Sequence, residues 1–264
     1  MTEEQNPVLT SNIDNDGICV LKLNRPDALN SLNGELVDAM GERFDEIHYD
    51  DDVRVVIVTG AGPKAFCAGA DLRERKEMSE ADVSRRIDDY RRVFGRIASV
   101  PKPTICAING YAFGGGLELA MACDLRVVDE ETKVGLTELK LGIIPGAGGT
   151  QRLSRLVGVA RAKELIFTGA KISGRRAAEI DLVNDACSAN NVMTRARQWA
   201  GDMLDSAPIA LAQAKKAIDT GSEVDLESGL DLEAAAYAVT IPTEDRKEGL
   251  KAFAEGRSPQ FEGK

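Results

Sequence analysis

The chain has 264 residues, with 33 Lys+Arg against 43 Asp+Glu and a formal net charge of −10. At 43% hydrophobic and 29% charged it has globular composition and ample length for a buried core. The acidic balance argues against nucleic acid as a partner, and no stretch reaches the roughly 18 uninterrupted apolar residues that span a bilayer.

Met1 to Asn15 is polar and acidic, without the apolar segment of a signal peptide or an Arg/Ser-rich transit pattern, so a cytoplasmic protein is expected. Gly17 to Leu23 (GICVLKL) is a β-branched run that reads as a strand, broken by Asn24 to Asn30 with Pro26. Leu36, Val37, Met40, Phe44 and Ile47 follow at helical spacing, predicting a helix over Asn33 to Ile47. Val53 to Thr59 reads as a buried strand, Gly60 to Asp71 as a Gly/Ala-rich loop, and Ser79 to Val100 as a helix stopped by Pro101 and Pro103. Thr104 to Ile108 is another strand, Asn109 to Gly116 a glycine-rich turn, Leu117 to Cys123 the start of a buried helix, and Leu125 to Val128 a strand. This alternation predicts α/β architecture with parallel strands and crossover helices.

After about Gly149 the pattern is almost entirely helical. Candidates are Arg161 to Thr168, Ser173 to Ile180, Asn190 to Ser206, Pro208 to Thr220, Glu223 to Val239 and Thr243 to Ala254. Residues 201 to 264 hold no strand signal and read as a helical appendage to a core spanning 1 to 200.

Chemistry narrows quickly. The five cysteines, Cys19, Cys67, Cys106, Cys123 and Cys187, lack CxxC spacing and read as free thiols. Cys67, in its Gly/Ala loop, is the candidate for reactivity. The one histidine, His48, reads as a solvated residue at a helix end, and no Gly-x-Ser-x-Gly motif accompanies it. Acid–base work therefore falls to carboxylates, Lys, Tyr or Cys. Arg85, Arg86, Arg91, Arg92 and Arg96 share a predicted helix with Asp82, Asp88 and Asp89, which reads as a solvated face.

Two glycine-rich turns follow predicted strands, AFCAGAD (Ala65 to Asp71) and GYAFGGG (Gly110 to Gly116). Consecutive glycines ahead of a helix gather unpaired N–H groups where an oxyanion is favoured. No Gly-Lys-Ser/Thr follows, which excludes a P-loop, and GAGGTQ (Gly146 to Gln151) fails the dinucleotide fingerprint. Glu118 stands in an apolar helix, where a carboxylate is costly unless paired or functional. Glu138 precedes a further glycine turn, PGAGG (Pro145 to Gly149). Alone it reads as a helix-surface residue paired with Lys140 or Arg152. Together the two offer carboxylates for acid and base work beside amide donors.

The segments NGYAFGGGLELAMACDL (Asn109 to Leu125) and GLTELKLGIIPGAGGTQRL (Gly135 to Leu153) resemble the signature of the crotonase superfamily, the enoyl-CoA hydratases and isomerases. AFCAGADL (Ala65 to Leu72) resembles its first oxyanion loop and LNRPDALNSL (Leu23 to Leu32) its early CoA-contacting turn. The resemblance implies a spiral of ββα units and a C-terminal helical region that makes a homotrimer, or a hexamer as a dimer of trimers. It implies backbone N–H donors at Ala70 and Gly115 and catalytic glutamates at Glu118, acting on water, and Glu138, delivering a proton to C2. It places CoA and substrate contacts at Ala28, Ala68, Ala70, Asp71, Leu72, Arg73 and Gly146. It implies an acyl-CoA thioester substrate with no metal or redox cofactor. With both glutamate positions filled, enoyl-CoA hydration is expected. The alternatives are a methylglutaconyl-CoA hydratase, an enoyl-CoA isomerase, or an RNA-binding homologue, which the acidic charge disfavours.

Overall fold

The computed structural model describes residues 7–264, so the first six residues of the acidic N-terminal stretch lie outside it. The chain opens with strands β1 (Leu9–Ile13) and β2 (Ile18–Leu23), then helix α1 (Gly34–Tyr49). Asn33 caps α1 by accepting from the Leu36 N–H. The chain then winds through repeated turns, each laying one strand on a large sheet, one on a small sheet, and returning by helix. The first turn is β3 (Val55–Gly60), β4 (Ala65–Cys67), α2 (Leu72–Lys76) and α3 (Glu80–Ser99). The second is β5 (Thr104–Ile108), β6 (Tyr111–Phe113) and α4 (Gly115–Ala122). The third is β7 (Leu125–Asp129), β8 (Lys133–Gly135), α5 (Gly149–Val157) and α6 (Val159–Thr168). Strand β9 (Ile172–Ser173), helix α7 (Gly174–Glu179) and strand β10 (Asp185–Cys187) close the spiral. Four helices follow: α8 (Val192–Leu204), α9 (Pro208–Gly221), α10 (Leu226–Thr240) and α11 (Glu244–Glu255).

The large sheet has the order β1-β2-β3-β5-β7-β10 and the small one β4-β6-β8-β9. All pairings are parallel except β1 with β2 and β8 with β9. Every residue of β3 and β5 is buried. That fits Val/Ile-rich strands covered on both faces, as crossover helices require. The core between the large sheet and α1, α3 and α4 includes Phe44, Phe66, Phe94, Leu36 and Ile97. On the sheet's other face α8 packs Val192, Ala196 and Ala200 against Ile57, Ile105 and Val127.

The α/β spiral expected from the sequence is the fold observed. Several elements differ from the sequence expectation. The Gly60 to Asp71 loop contains β4, and the Asn109 to Gly116 turn contains β6. Strands β1, β8, β9 and β10 were not anticipated, so the region after Gly149 is not purely helical, and α2 and α5 were also missed. Three-residue strands are too short to show a period of two, and tertiary pairing makes them. The division at residues 200 and 201 falls inside α8. His48 is exposed in the last turn of α1. The five cysteines are free. Cys67 is not a reactive loop thiol: it lies buried in β4, and burial pushes its thiol up to about 12. The α3 arginines pair mostly with acids, Arg85 with Asp82, Arg91 with Asp88 at 3.7 Å, Arg92 with Asp89 at 3.0 Å and Arg96 with Asp45.

No described helix is long and apolar enough to cross a membrane. Among the described residues no group of three or more His, Cys, Asp or Glu is placed to hold a metal ion.

Candidate active site

Strands β4 and β6 run parallel, so the loops leaving them lie side by side. The β4 exit carries Ala68 to Asp71 and the β6 exit carries Gly114 to Gly116. Their approach is close: a Cβ on Gly116 would fall 2.1 Å from the Cys67 carbonyl oxygen. Gly114 adopts φ +51, which a side chain would strain. Together these turns start α4 directly against the first loop.

Two backbone amides meet there. A Cβ built on Gly115 would lie 3.7 Å from the Ala70 nitrogen, and one on Gly69 would lie 3.4 Å from the Gly115 nitrogen. Gly115 is the first residue of α4, where an amide has no intrahelical acceptor. Neither the Ala70 nor the Gly115 N–H donates within the described residues. Leu32 braces the first loop. Its N–H donates to the Gly69 carbonyl at 2.8 Å, and its carbonyl accepts from Asp71 N–H at 3.0 Å and from the Tyr90 hydroxyl at 2.9 Å. The Ala70 peptide is thus held at both sides while its own N–H stays free.

The cleft in front of these amides encloses about 130 Å³. Both glutamates line it, as do Ala68, Ala70, Gly115 and Gly146. Glu118, one turn into α4, is only 3% exposed. Its Oε1 accepts from the Ala147 N–H at 2.8 Å and the Gly149 N–H at 2.7 Å. Those donors belong to the turn that opens α5. Gly148 at φ +107 shapes that turn, and Arg152 locks it by donating to the Ala147 carbonyl at 3.0 Å. Burial raises the Glu118 pKa, while the two amides and the Arg152 charge pull against it.

Glu138 opens a short 3-10 turn, Glu138–Leu141. It forms no ion pair with Lys140 or Arg152 among the described residues, so the surface-pair reading fails. Its Oε2 is buried without a hydrogen-bond partner. Burial pushes Glu138 up to about 7, with the nearby Glu118 charge adding to the rise. One carboxyl is therefore held by two amide donors and the other keeps an unpartnered oxygen, both lining the same small space.

The remaining candidates divide. Asp71 is committed to the protein: it pairs with Arg25 at 2.9 Å and caps α2 at the Arg73 and Glu74 amides. Leu72, 54% exposed, lies on the cleft rim, and Arg73 is exposed on the outer side of α2. Ala28 ends the 3-10 turn Pro26–Ala28 outside the cleft, next to Leu29, whose carbonyl accepts from Ala68 N–H at 3.0 Å. Gly146 backs onto Ile87, and a Cβ there would meet Ile87 Cδ1 at 3.1 Å. Sequence reasoning missed Leu32, Tyr90 and the Ala147 and Gly149 amides, and it gave Arg152 to Glu138 rather than to the Ala147 carbonyl. It also missed Arg75, the one Lys or Arg lining the cleft.

The profile of the family described as enoyl-CoA hydratase/isomerase matches residues 14–264. The chain is 48% identical over 252 residues to human "Enoyl-CoA hydratase domain-containing protein 2, mitochondrial", covering 94% of this chain and 86% of that one. It is 45% identical over 266 residues to human "Methylglutaconyl-CoA hydratase, mitochondrial", covering 99% of this chain and 78% of that one. The crystal structure of an enoyl-CoA hydratase from Bacillus anthracis superposes with a TM-score of 0.96 at 44% identity, over 97% of this chain and 100% of that one. Fold, spiral topology and sequence agree, and the chain belongs to the enoyl-CoA hydratase/isomerase family of the crotonase superfamily.

Proposed function

We propose that the protein is an enoyl-CoA hydratase, a hydro-lyase that adds water syn across the 2,3 double bond of a 2-enoyl-CoA thioester. The observation that carries this reading is the pair of unlike carboxyls, Glu118 and Glu138, facing one cleft with the free Ala70 and Gly115 amides. An ionised carboxylate and a protonated carboxyl are what water addition needs at one site.

The thioester oxygen sits between the Ala70 and Gly115 N–H groups, at roughly 3 Å from each. Glu118 takes a proton from a water whose oxygen bonds to C3. The C2–C3 π electrons shift toward the thioester, and the enolate charge falls on the two amides and the α4 N-terminus. Glu138 gives its proton to C2. The proton on Glu118 then returns to Glu138, so the net change is one water added. Ala68, Ala70, Leu72 and Arg73 take the adenine and phosphate end of CoA, with Asp71 holding the loop that carries them; Ala28 is a further CoA contact, and Gly146 closes the water side. No metal or redox cofactor takes part. Steady-state hydration of crotonyl-CoA and longer 2-enoyl-CoA thioesters tests the reading. Conversion of a 3-enoyl-CoA without net water uptake, in the absence of hydration, would make the protein an isomerase and overturn it.

We also propose that the chain works as a homotrimer, or as a hexamer built from two trimers. The support is the apolar surface of the last helices: Leu226 is 79% exposed and Phe253 89%, with Ile218, Leu230, Tyr237 and Leu250 also exposed. Exposed apolar side chains carried by the last helices are the kind of surface that a partner subunit covers. Light scattering that returns a monomer mass for the full chain would refute it.

A further inference from the structure

We propose that Arg25 and Asn30 are positioning residues for the oxyanion donor at Ala70, acting through the turn over residues 25–32 on which the donor's loop is laid. The inference rests on the hydratase reading above and adds two residues to its machinery. Leu29 and Asn30 take φ +52 and +54 in succession, left-handed values uncommon outside glycine. Asn30 holds the chain in that shape. It is fully buried. Its Oδ1 accepts from the Arg25 N–H at 2.9 Å, and its Nδ2 donates to the Ala61 and Ala65 carbonyls, each at 2.9 Å. Ala65 opens β4, the strand that leads into the oxyanion loop.

From there the turn meets the loop bond by bond. The Leu29 carbonyl accepts from the Ala68 N–H at 3.0 Å, the Leu32 N–H donates to the Gly69 carbonyl at 2.8 Å, and the Leu32 carbonyl accepts from the Asp71 N–H at 3.0 Å. Arg25 fastens the far end. Its Nη2 pairs with Asp71 Oδ2 at 2.9 Å and its Nη1 donates to the Ser31 carbonyl at 2.5 Å, while the Ser31 hydroxyl donates to the same Asp71 oxygen at 3.2 Å. Ala70 lies between these fastenings. An oxyanion donor works only when it is held within roughly 0.5 Å of its productive position. Neither Arg25 nor Asn30 lines the cleft, so their influence on the reaction passes through the loop. The other employment for a guanidinium on this turn is a CoA phosphate, but both Arg25 Nη groups are already taken by Asp71 and Ser31.

The test reads the donor and the grip on CoA separately, with the full chain. Binding of CoA itself, which has no thioester carbonyl, reports the grip. The red shift of 2,4-hexadienoyl-CoA on binding, read before turnover, reports the donor, because a hydrogen bond to the carbonyl oxygen draws the conjugated π electrons toward it. Arg25→Met should lower kcat for crotonyl-CoA by about tenfold and shrink the red shift, with the Kd for CoA within about twofold of wild type. Arg25→Lys keeps the charge against Asp71 and loses the fork onto Ser31, so it should recover part of both losses. Because Arg25 acts through Asp71, adding Asp71→Asn to Arg25→Met should cost little more than Arg25→Met alone. Asn30→Gly leaves the left-handed backbone open and removes the carboxamide's bonds, and it should show the same pattern. Thermal melts on the same preparations identify a folding defect, and if Asn30→Gly has one the Arg25 variants decide. An unchanged kcat and red shift in Arg25→Met would overturn the inference. So would a loss of CoA affinity that matches the loss in kcat/KM while the red shift stays intact, which makes the turn a CoA contact only. A wild type that shifts the dienoyl spectrum without hydrating any 2-enoyl-CoA would instead overturn the hydratase reading, and the red shift in the variants would still decide the positioning role.

Discussion

Glu118 and Glu138 face one cleft, yet the chain treats them in opposite ways. Glu118 comes from a regular helix and sits 3% exposed, with two amides on one oxygen and the Arg152 charge behind the turn that supplies them. Glu138 comes from a 3-10 turn, has an unpartnered buried oxygen and is pushed up to about 7. Both are desolvated, so burial alone does not set the difference. The difference comes from what each carboxyl is offered: two short amide hydrogen bonds on one Glu118 oxygen, against local backbone contacts at Glu138 and Thr137 that leave the Glu138 Oε2 unpartnered. In this reading one fold holds a base and an acid in one cleft by furnishing strong donors to the first and leaving an oxygen of the second unpartnered.

The strongest way to break the comparison is to neutralise each side in turn. Glu118→Gln and Glu138→Gln should each lower kcat for hydration by at least about 100-fold, the scale for losing a positioned acid or base. Affinity for a 3-hydroxyacyl-CoA product should change little. The pH profile separates the roles. A proton donor with a pKa near 7 is lost as pH rises through 7, so kcat/KM should fall on that side. Near-normal turnover in either variant removes that residue from the mechanism.

Next in size is the oxyanion turn. A Cβ on Gly115 would meet Leu32 Cδ1 at 3.1 Å and stand 3.7 Å from the Ala70 nitrogen, between the two donors. Gly115→Val should cost about 3 kcal/mol of transition-state stabilisation or more, comparable to losing one oxyanion donor. If Gly115 serves close packing alone, activity should fall only with the folded fraction. Rates and melts on one preparation decide between these outcomes.

Arg152 sharpens the comparison further. It holds the Ala147 carbonyl and so keeps the Ala147 and Gly149 amides on Glu118. Arg152→Met should lower kcat by roughly tenfold and move the acid limb of kcat/KM to higher pH, because Glu118 loses a stabilising charge. Arg152→Lys should recover part of the shift. A variant with lower kcat and an unmoved acid limb would reduce Arg152 to a purely mechanical brace.

What the sequence made legible follows from these same contacts. Long periodic segments such as α1 and α3, and the all-apolar β3 and β5, carried their identity in residue spacing. Glu118 stood out because a carboxylate in an apolar helix is expensive wherever it folds. The donors that oppose the rise in its pKa did not stand out, since Ala147 and Gly149 lie 29 and 31 residues away and act through backbone N–H groups. Tyr90 reaches Leu32 across 58 residues, and nothing local marks it. Arg75 sits in a helix of five residues, too short for any period to separate it from Arg73 and Lys76. Short strands and tertiary donors share one property: their cause lies in another part of the chain.

The smallest predicted effect reads the same asymmetry through stability. A carboxyl whose pKa is raised on folding binds its proton more tightly in the native state than in the unfolded chain. Between the ordinary value of 4.5 and about 7, native Glu138 therefore carries more protons than unfolded Glu138. Stability falls as pH rises through that window, because the fold must then hold a bare buried charge. Glu138→Gln removes the charge and keeps the shape. The Tm of the variant relative to wild type should thus be higher at pH 8 than at pH 5, by a few degrees at most for a chain of this size. Glu118→Gln provides the contrast. Its amide must turn its oxygen toward Ala147 and Gly149 to keep their bonds, and it gives up the attraction between the Glu118 charge and Arg152, so it should gain less at pH 8 than Glu138→Gln. Equal gains for the two variants across the pH range would mean that both carboxyls meet the same environment, and the division into a base and an acid would fall with that result.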